Sequence, residues 1–214
     1  KAEEVTFSVK SIWDGVRFVM SNQILVYTML LDFIANFFSS ATTLLPIFAK
    51  EIFNTGPKGL GLLYSAPAVG ATLTGLIMAS AHNIKNQGKV ILIGVLIYGG
   101  ATVAFGLSNS FIIALIFLSL VGVGDMLSTV LRNTIRQILT PDHLKGRMVS
   151  INMLFVQGGP MAGEAEAGFV AHLFGAPFSV VSGGIITIIL TLFIAFKVPQ
   201  LRNYKSAYDR IIPS

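Results

Sequence analysis

Six long apolar runs separated by short polar breaks organise the 214-residue sequence. They extend from about Gln23 to Phe48, Gly59 to Ala81, Val90 to Leu107, Ser110 to Leu131, Met148 to Phe174 and Phe178 to Phe196. Each is near the ~20 residues with which a helix crosses ~30 Å of hydrocarbon. Ahead of them, Val9, Ile12, Trp13, Val16, Val19 and Met20 recur at helical spacing with Lys10, Asp14 and Arg17 between, which predicts an amphipathic helix on the membrane surface. The fourth helix is expected to continue past the bilayer through Arg132 and Arg136 until Pro141 stops it. The organisation is then a cytoplasmic linker helix in residues 1–22, a six-helix transmembrane domain in 23–196 and a cytoplasmic tail in 197–214, an all-α membrane protein.

Composition agrees with the pattern. Hydrophobic residues make up 53% and charged residues 12%, against roughly 25% charged in ordinary soluble domains. Mean hydropathy is +0.75. The absence of cysteine removes disulfides, thiolate metal sites and cysteine nucleophiles, and no His-Glu-x-x-His motif stands in their place, so neither a metal nor a cofactor is expected. The net charge of +5 does not form a basic patch interleaved with aromatics, which argues against a nucleic-acid partner. The lysines and arginines instead flank the apolar runs. With both termini cytoplasmic, only Lys50 and Lys58 of the 15 fall outside, the bias expected of a polytopic protein in its bilayer. The chain starts at Lys1 without methionine or a secretory-signal pattern, and it reads as part of something longer.

Taken as two triplets, the runs repeat one another. The first helix of each carries an aspartate, Asp32 and Asp125. The second is glycine-rich with an interior proline, Gly75 and Pro67 in one and Gly159, Gly163 and Pro160 in the other. Three spans being odd, the second triplet must be inverted relative to the first, which makes two inverted three-helix repeats.

Acidic groups inside spanning helices are costly and mark candidate pathways. Asp32, Asn36, Ser39 or Ser40, and Thr43 place a polar stripe on one helix face, and Asp125, Ser128 or Thr129, Arg132 and Arg136 repeat the spacing. These stripes line a substrate and proton path, or they hold helices together as buried networks. Glu164 and Glu166, roughly 200° apart on a helix, face different ways. Glu164 shares a face with Gln157 and Met161 and is expected in the cavity, whereas Glu166 lies beside the Gly159/Gly163 pair and is expected in a structural pairing. Pro67 and Pro160 mark points where helices kink and rock, or simply pack closely. His82, His143 and His172 fall at the helix ends and are expected at the interface.

Three segments carry a family resemblance. Residues 11–19 (SIWDGVRFV) resemble the linker before helix seven of major facilitator transporters of the drug-exporter-3, enterobactin-exporter-like kind, the transmembrane secretion effector family. Residues 132–150 (RNTIRQILTPDHLKGRMVS) resemble the segment between helices ten and eleven of that family, and residues 158–168 (GGPMAGEAEAG) resemble helix eleven of one branch. The resemblance implies the C-terminal half, helices seven to twelve, of a transporter in the bacterial inner membrane. Its partner would be an N-terminal six-helix half lying outside this chain. Helices seven, eight, ten and eleven would line a cavity, with nine and twelve against lipid. The implied activity is proton-coupled export of an amphipathic small molecule, such as a drug or siderophore, by alternating access. Gly88-Lys89 is similar to a degenerate gating motif lacking its aspartate and arginine, so no salt-bridge latch is expected there. The other readings are a half-size or split transporter that pairs with another half, an intramembrane enzyme using Glu164 or Glu166 with a histidine, and a scaffold that transports nothing.

Overall fold

In hydrocarbon a chain must satisfy its backbone N–H and C=O groups internally, so apolar runs of this length fold as helices. The computed structural model describes residues 9–38, 41–80 and 84–205. Lys1, Ser39, Ser40, His82, Asn83 and Arg210 lie outside the described residues, as do the side chains of Val9, Lys10, Ile12 and Asp14. The described elements are α1 (Val9–Ser21), α2 (Gln23–Phe38), α3 (Ala41–Ile47), α4 (Gly56–Ser80), α5 (Gln87–Gly106), α6 (Phe111–Leu139), α7 (Asp142–Phe174), α8 (Ala176–Lys197) and the short α9 (Pro199–Arg202).

Among the described residues, five stretches are long and apolar enough to cross a membrane: Gln23–Ile52, Gly56–Ser80, Gln87–Gly106, Phe111–Leu139 and Ala176–Lys197. The remaining long helix, α7, has 33 residues but is less apolar, because Gln157, Glu164, Glu166 and His172 interrupt it. The first of the five stretches is not one uniform α-helix. It passes from α3 into a π-helical turn, Phe48–Ile52, whose Phe48 packs on Phe105 with ring centroids 4.6 Å apart. Left-handed backbone at Asn54 (φ 50°) and Gly56 (φ 65°) then turns the chain into α4.

Helix α6 is the hub, packed along α4 and α5; α5 also packs on α8, and α2 packs on α7 and α8. Small residues set these crossings. Gly70 on α4 lies against the Ser119 carbonyl of α6, and Gly122 on α6 lies against the Pro67 carbonyl of α4. Gly163 on α7 meets the backbone of Phe37, while Gly159 sits one turn away against Phe33. A side chain at Gly70, Gly122 or Gly163 would push two helices apart, whereas one at Gly159 would make ordinary contact with Phe33.

Apolar contacts fill both ends of the bundle. Leu45, Phe48, Leu63, Phe105 and Leu118 pack at one end; Leu31, Ile91, Ile135 and Leu201 pack at the other. Exposed large side chains such as Leu76, Ile77, Ile112, Phe193 and Phe196 cover the outside. In water such a surface would be a liability, whereas against lipid it is the matching solvent.

Helix α1 and the stretch after α8 are both tied to the bundle at one end. Val16 and Val19 of α1 pack with Met148 and Ile151 of α7, leaving Trp13, Arg17 and Met20 exposed at helical spacing. After α8, Leu201 and Tyr204 are buried against the start of α5, and the Gly88 N–H donates to the Tyr204 carbonyl at 3.1 Å. The Gly88 turn is therefore held by the C-terminal segment, with Lys85 and Lys89 exposed beside it. At the start of α7 the Lys145 ammonium lies 2.6 Å from Asp142 and holds that exposed carboxyl below the usual carboxylate range.

Candidate functional site

Where α2 meets α6, a carboxylate and two guanidiniums are shut away from solvent. Asp32 is 4% exposed, Arg132 1% and Arg136 2%. Arg132 reaches Asp32 Oδ1 at 2.7 Å, and Arg136 pairs with Asp32 Oδ2. Arg136 is held further by the Thr28 carbonyl at 2.7 Å, by Thr28 Oγ1 at 3.3 Å and by Asn133 Oδ1 at 3.2 Å. Arg132 is less well matched, since its Nε and Nη1 meet no acceptor among the described residues. Burying charge is tolerable only when it is paired, and this cluster locks α2 to α6.

A cleft of about 300 Å³ lies beside the lock. Its walls come from α2 and α3 (Asn36, Thr42), α4 (Pro67, Ala68, Ala71), α6 (Leu118, Val121, Gly122, Asp125) and α7 (Pro160, Glu164), with Tyr98 entering from α5. Asp125 and Glu164 are exposed on these walls, and among the described residues no basic side chain joins them in the lining. Tyr98 lies within electrostatic reach of Asp125. Gly122 keeps this wall thin, because the Pro67 carbonyl occupies the space its side chain would need.

The cleft and the lock are joined by one hydroxyl. Thr129 Oγ1 donates to Asp125 Oδ1 at 3.2 Å and accepts from Arg132 Nη2 at 2.9 Å. A continuous polar chain therefore runs from Asp125 through Thr129, Arg132 and Asp32 to Arg136 and Thr28.

The two polar stripes of the sequence are thus divided differently from their spacing. Asp32 is sealed in the lock, while Asn36, one turn on, lines the cleft and donates Nδ2–H to the Asp32 carbonyl at 2.8 Å. Thr42 rather than Thr43 reaches the cleft. On α6, Arg132 and Arg136 turn away from Asp125 to Asp32, and among the described residues no direct ion pair joins Asp125 to either. On α7, Glu164 lines the cleft, and Glu166 is half-buried with no ion pair or side-chain hydrogen bond among the described residues. Pro67 and Pro160 both line the cleft. Gly159 and Gly163 lie in the α2 contact, and a Cβ on Gly75 would sit 2.9 Å from Met126 Cε on α6.

Thr28, Thr42 and Tyr98 are absent from the sequence-derived set. Thr28 lies i−4 from Asp32, a spacing that could have found it, but nothing local marks Tyr98 in a helix expected to face lipid.

Among known proteins, the enterobactin exporter of Escherichia coli strain K12 is 23% identical over 206 residues, which cover 96% of this chain and 49% of that protein. The enterobactin exporter of Escherichia coli O1:K1 / APEC is 24% identical over 207 residues, with the same shares covered. That of Shigella boydii serotype 18 is 23% identical over 206 residues. The chain spans about half the length of the curated relatives it matches. The family profile described as transmembrane secretion effector matches residues 2–212, nearly end to end. With its apolar helices, this makes the chain an integral membrane protein that belongs to the transmembrane secretion effector family of major facilitator transporters, and not an enzyme.

Proposed function

We propose that the chain is the C-terminal six-helix half of a secondary exporter that moves an amphipathic small molecule out of the cytoplasm by alternating access in exchange for protons. The observation that carries this reading is the cleft, where Asp125 and Glu164 are exposed between helices whose outer faces suit lipid. An acid in such a place can take a proton from one side and release it to the other as access alternates. Glu164 and Asp125 belong to different helices, α7 and α6, so rocking of one against the other would change their surroundings.

In this reading α7 is the sixth span. Its polar residues lower its apolarity because part of its surface faces the cleft and not lipid. The packing favours two repeats. Exchanging α2, α4 and α5 for α6, α7 and α8 turns the α4–α6 contact into the α7–α2 contact, and the α5–α6 contact into the α8–α2 contact. The domain runs from 23 to 196 between a linker helix and a tail, with both termini cytoplasmic in a bacterial inner membrane. A second six-helix body, either the other half of the same protein or a partner, would supply the facing wall. The substrate is a drug-like or siderophore-like amphipath, in keeping with relatives named as enterobactin exporters.

The test is transport by the full-length protein in proteoliposomes under an imposed pH gradient, with enterobactin and ethidium as probes. Wild type should accumulate at least one of them in a gradient-dependent way. The Asp125→Asn, Glu164→Gln double variant should lose at least about tenfold of that rate, in line with the 10²–10⁴-fold contributions of positioned proton-transfer groups. Undiminished gradient-driven transport by the double variant would refute the reading.

A further inference from the structure

We propose that Thr129 is a positioning residue that couples the charge on Asp125 to the lock between α2 and α6. The inference rests on the proposed function, in which Asp125 exchanges a proton with water in the cleft.

A hydroxyl has one proton to give and two lone pairs to offer. At Thr129 the proton goes to Asp125 Oδ1 and a lone pair receives Arg132 Nη2. That arrangement suits an ionised Asp125, which can only accept. The two acids then balance the two guanidiniums, and the sum over Asp32, Asp125, Arg132 and Arg136 is zero.

When a proton from the cleft adds to the Asp125 carboxylate, the balance changes. The carboxyl becomes neutral and can itself donate to Thr129, competing with Arg132 for the hydroxyl oxygen. The sum over the four groups becomes +1, and two buried guanidiniums share one buried carboxylate. Such an excess loosens the hold on the guanidiniums and favours a rearrangement that relieves it. Arg132 has the freedom to rearrange, because its Nε and Nη1 are buried and without an acceptor among the described residues. Arg136 lacks that freedom, being tied to Thr28 and Asn133. Arg132 is thus the movable member of the lock and Thr129 its contact with the cleft.

Other groups face Asp125 as well. Tyr98 from α5 and Glu164 from α7 share the cleft with it, and α4 contributes only Pro67, Ala68 and Ala71. Asp32 from α2 binds Arg132, which in turn meets Thr129. Thr129 hydrogen-bonds both Asp125 and Arg132.

A substrate-independent reporter tests this. The chain has no cysteine, so Ala68→Cys on the cleft wall can be labelled with a water-soluble maleimide from pH 5.5 to 8.5 in the full-length protein, any cysteines elsewhere being replaced. Rates are divided by those of the same reporter with Asp125→Asn, which cancels the ionisation of the thiol. The normalised rate should change with pH by about fivefold or more, the scale of ordinary coupling between sites. Thr129→Val should flatten that response to within about twofold, and Thr129→Ser should keep it. Thr129→Ala, which also lacks the hydroxyl, replaces Thr129→Val if the latter fails to fold. A full response without the hydroxyl, loss of the response with serine, or no Asp125-dependent response in wild type would each overturn the proposal. A response that passes through Thr129 in a protein whose transport ignores the pH gradient would leave the coupling standing and reject the proton-exchange reading.

Discussion

Asp32 and Asp125 hold equivalent places in two sequence triplets, yet the fold gives them opposite surroundings. Asp32 is 4% exposed and gripped by two guanidiniums, while Asp125 is exposed in a cleft and held by one hydroxyl. The difference traces to the residues that succeed each aspartate along its helix. On α6 the next turns bring Arg132 and Arg136, whereas on α2 the spacing i+4 brings Asn36, which carries no charge. Arginines present on only one helix of the pair cross to the aspartate of the other, leaving their own aspartate free. Two helices with like sequence patterns thus differ in use: one aspartate holds helices together, and the other lines the cleft.

The strongest way to break the contrast is to remove the locked acid. Asp32→Asn leaves two buried guanidiniums against a neutral amide and should destabilise the protein by about 3–5 kcal/mol, read as thermal unfolding in detergent. Replacing Asp32, Arg132 and Arg136 together by leucine or methionine should recover most of that loss, because no uncompensated charge remains. A smaller effect is expected where α7 meets α2. Gly163→Ala drives a methyl into the Phe37 backbone and should cost about 1–3 kcal/mol, whereas Gly168→Ala, which meets open space, should be neutral or slightly stabilising. The smallest stability change belongs to Asp125→Asn, under about 1 kcal/mol, although the same change should abolish most of the gradient-driven transport. If Asp125→Asn destabilised as much as Asp32→Asn, the division between lock and cleft would be wrong.

Much of the fold was legible because lipid leaves a chain few choices. Apolar runs of spanning length become helices, and the extension of α6 past Arg136 to Leu139, with Pro141 beyond it, obeys local rules that sequence carries. Helix α7 is the instructive exception. Its length is visible, but Glu164 on the cleft, together with Gln157, Glu166 and His172, removes it from the helices that apolarity alone identifies. The first span reads as one run in the sequence, and the π-helical turn at Phe48–Ile52 leaves no periodic signal.

At the site, residue types were legible and partners were not. The spacing of Asp125, Thr129, Arg132 and Arg136 on one face is real, and it produces the Asp125–Thr129–Arg132 hydrogen bonds. Which carboxylate the guanidiniums reach depends on how closely α2 and α6 approach, a property of tertiary packing that periodicity along either helix does not contain. The same holds for Tyr98. It enters the cleft because Gly94 and Gly124 let α5 and α6 pack closely, with Gly124 against the Tyr98 backbone.

Carbodiimide labelling of the wild-type protein in its membrane, read out by mass spectrometry of the acidic residues, tests the division most directly. Such reagents modify protonated carboxyls that they can reach. Adducts on Asp125 and Glu164, falling as pH rises, with Asp32 unmodified throughout, are the expected result. An adduct on Asp32 ahead of Asp125, or an Asp125 that stays unmodified at every pH, would contradict the account.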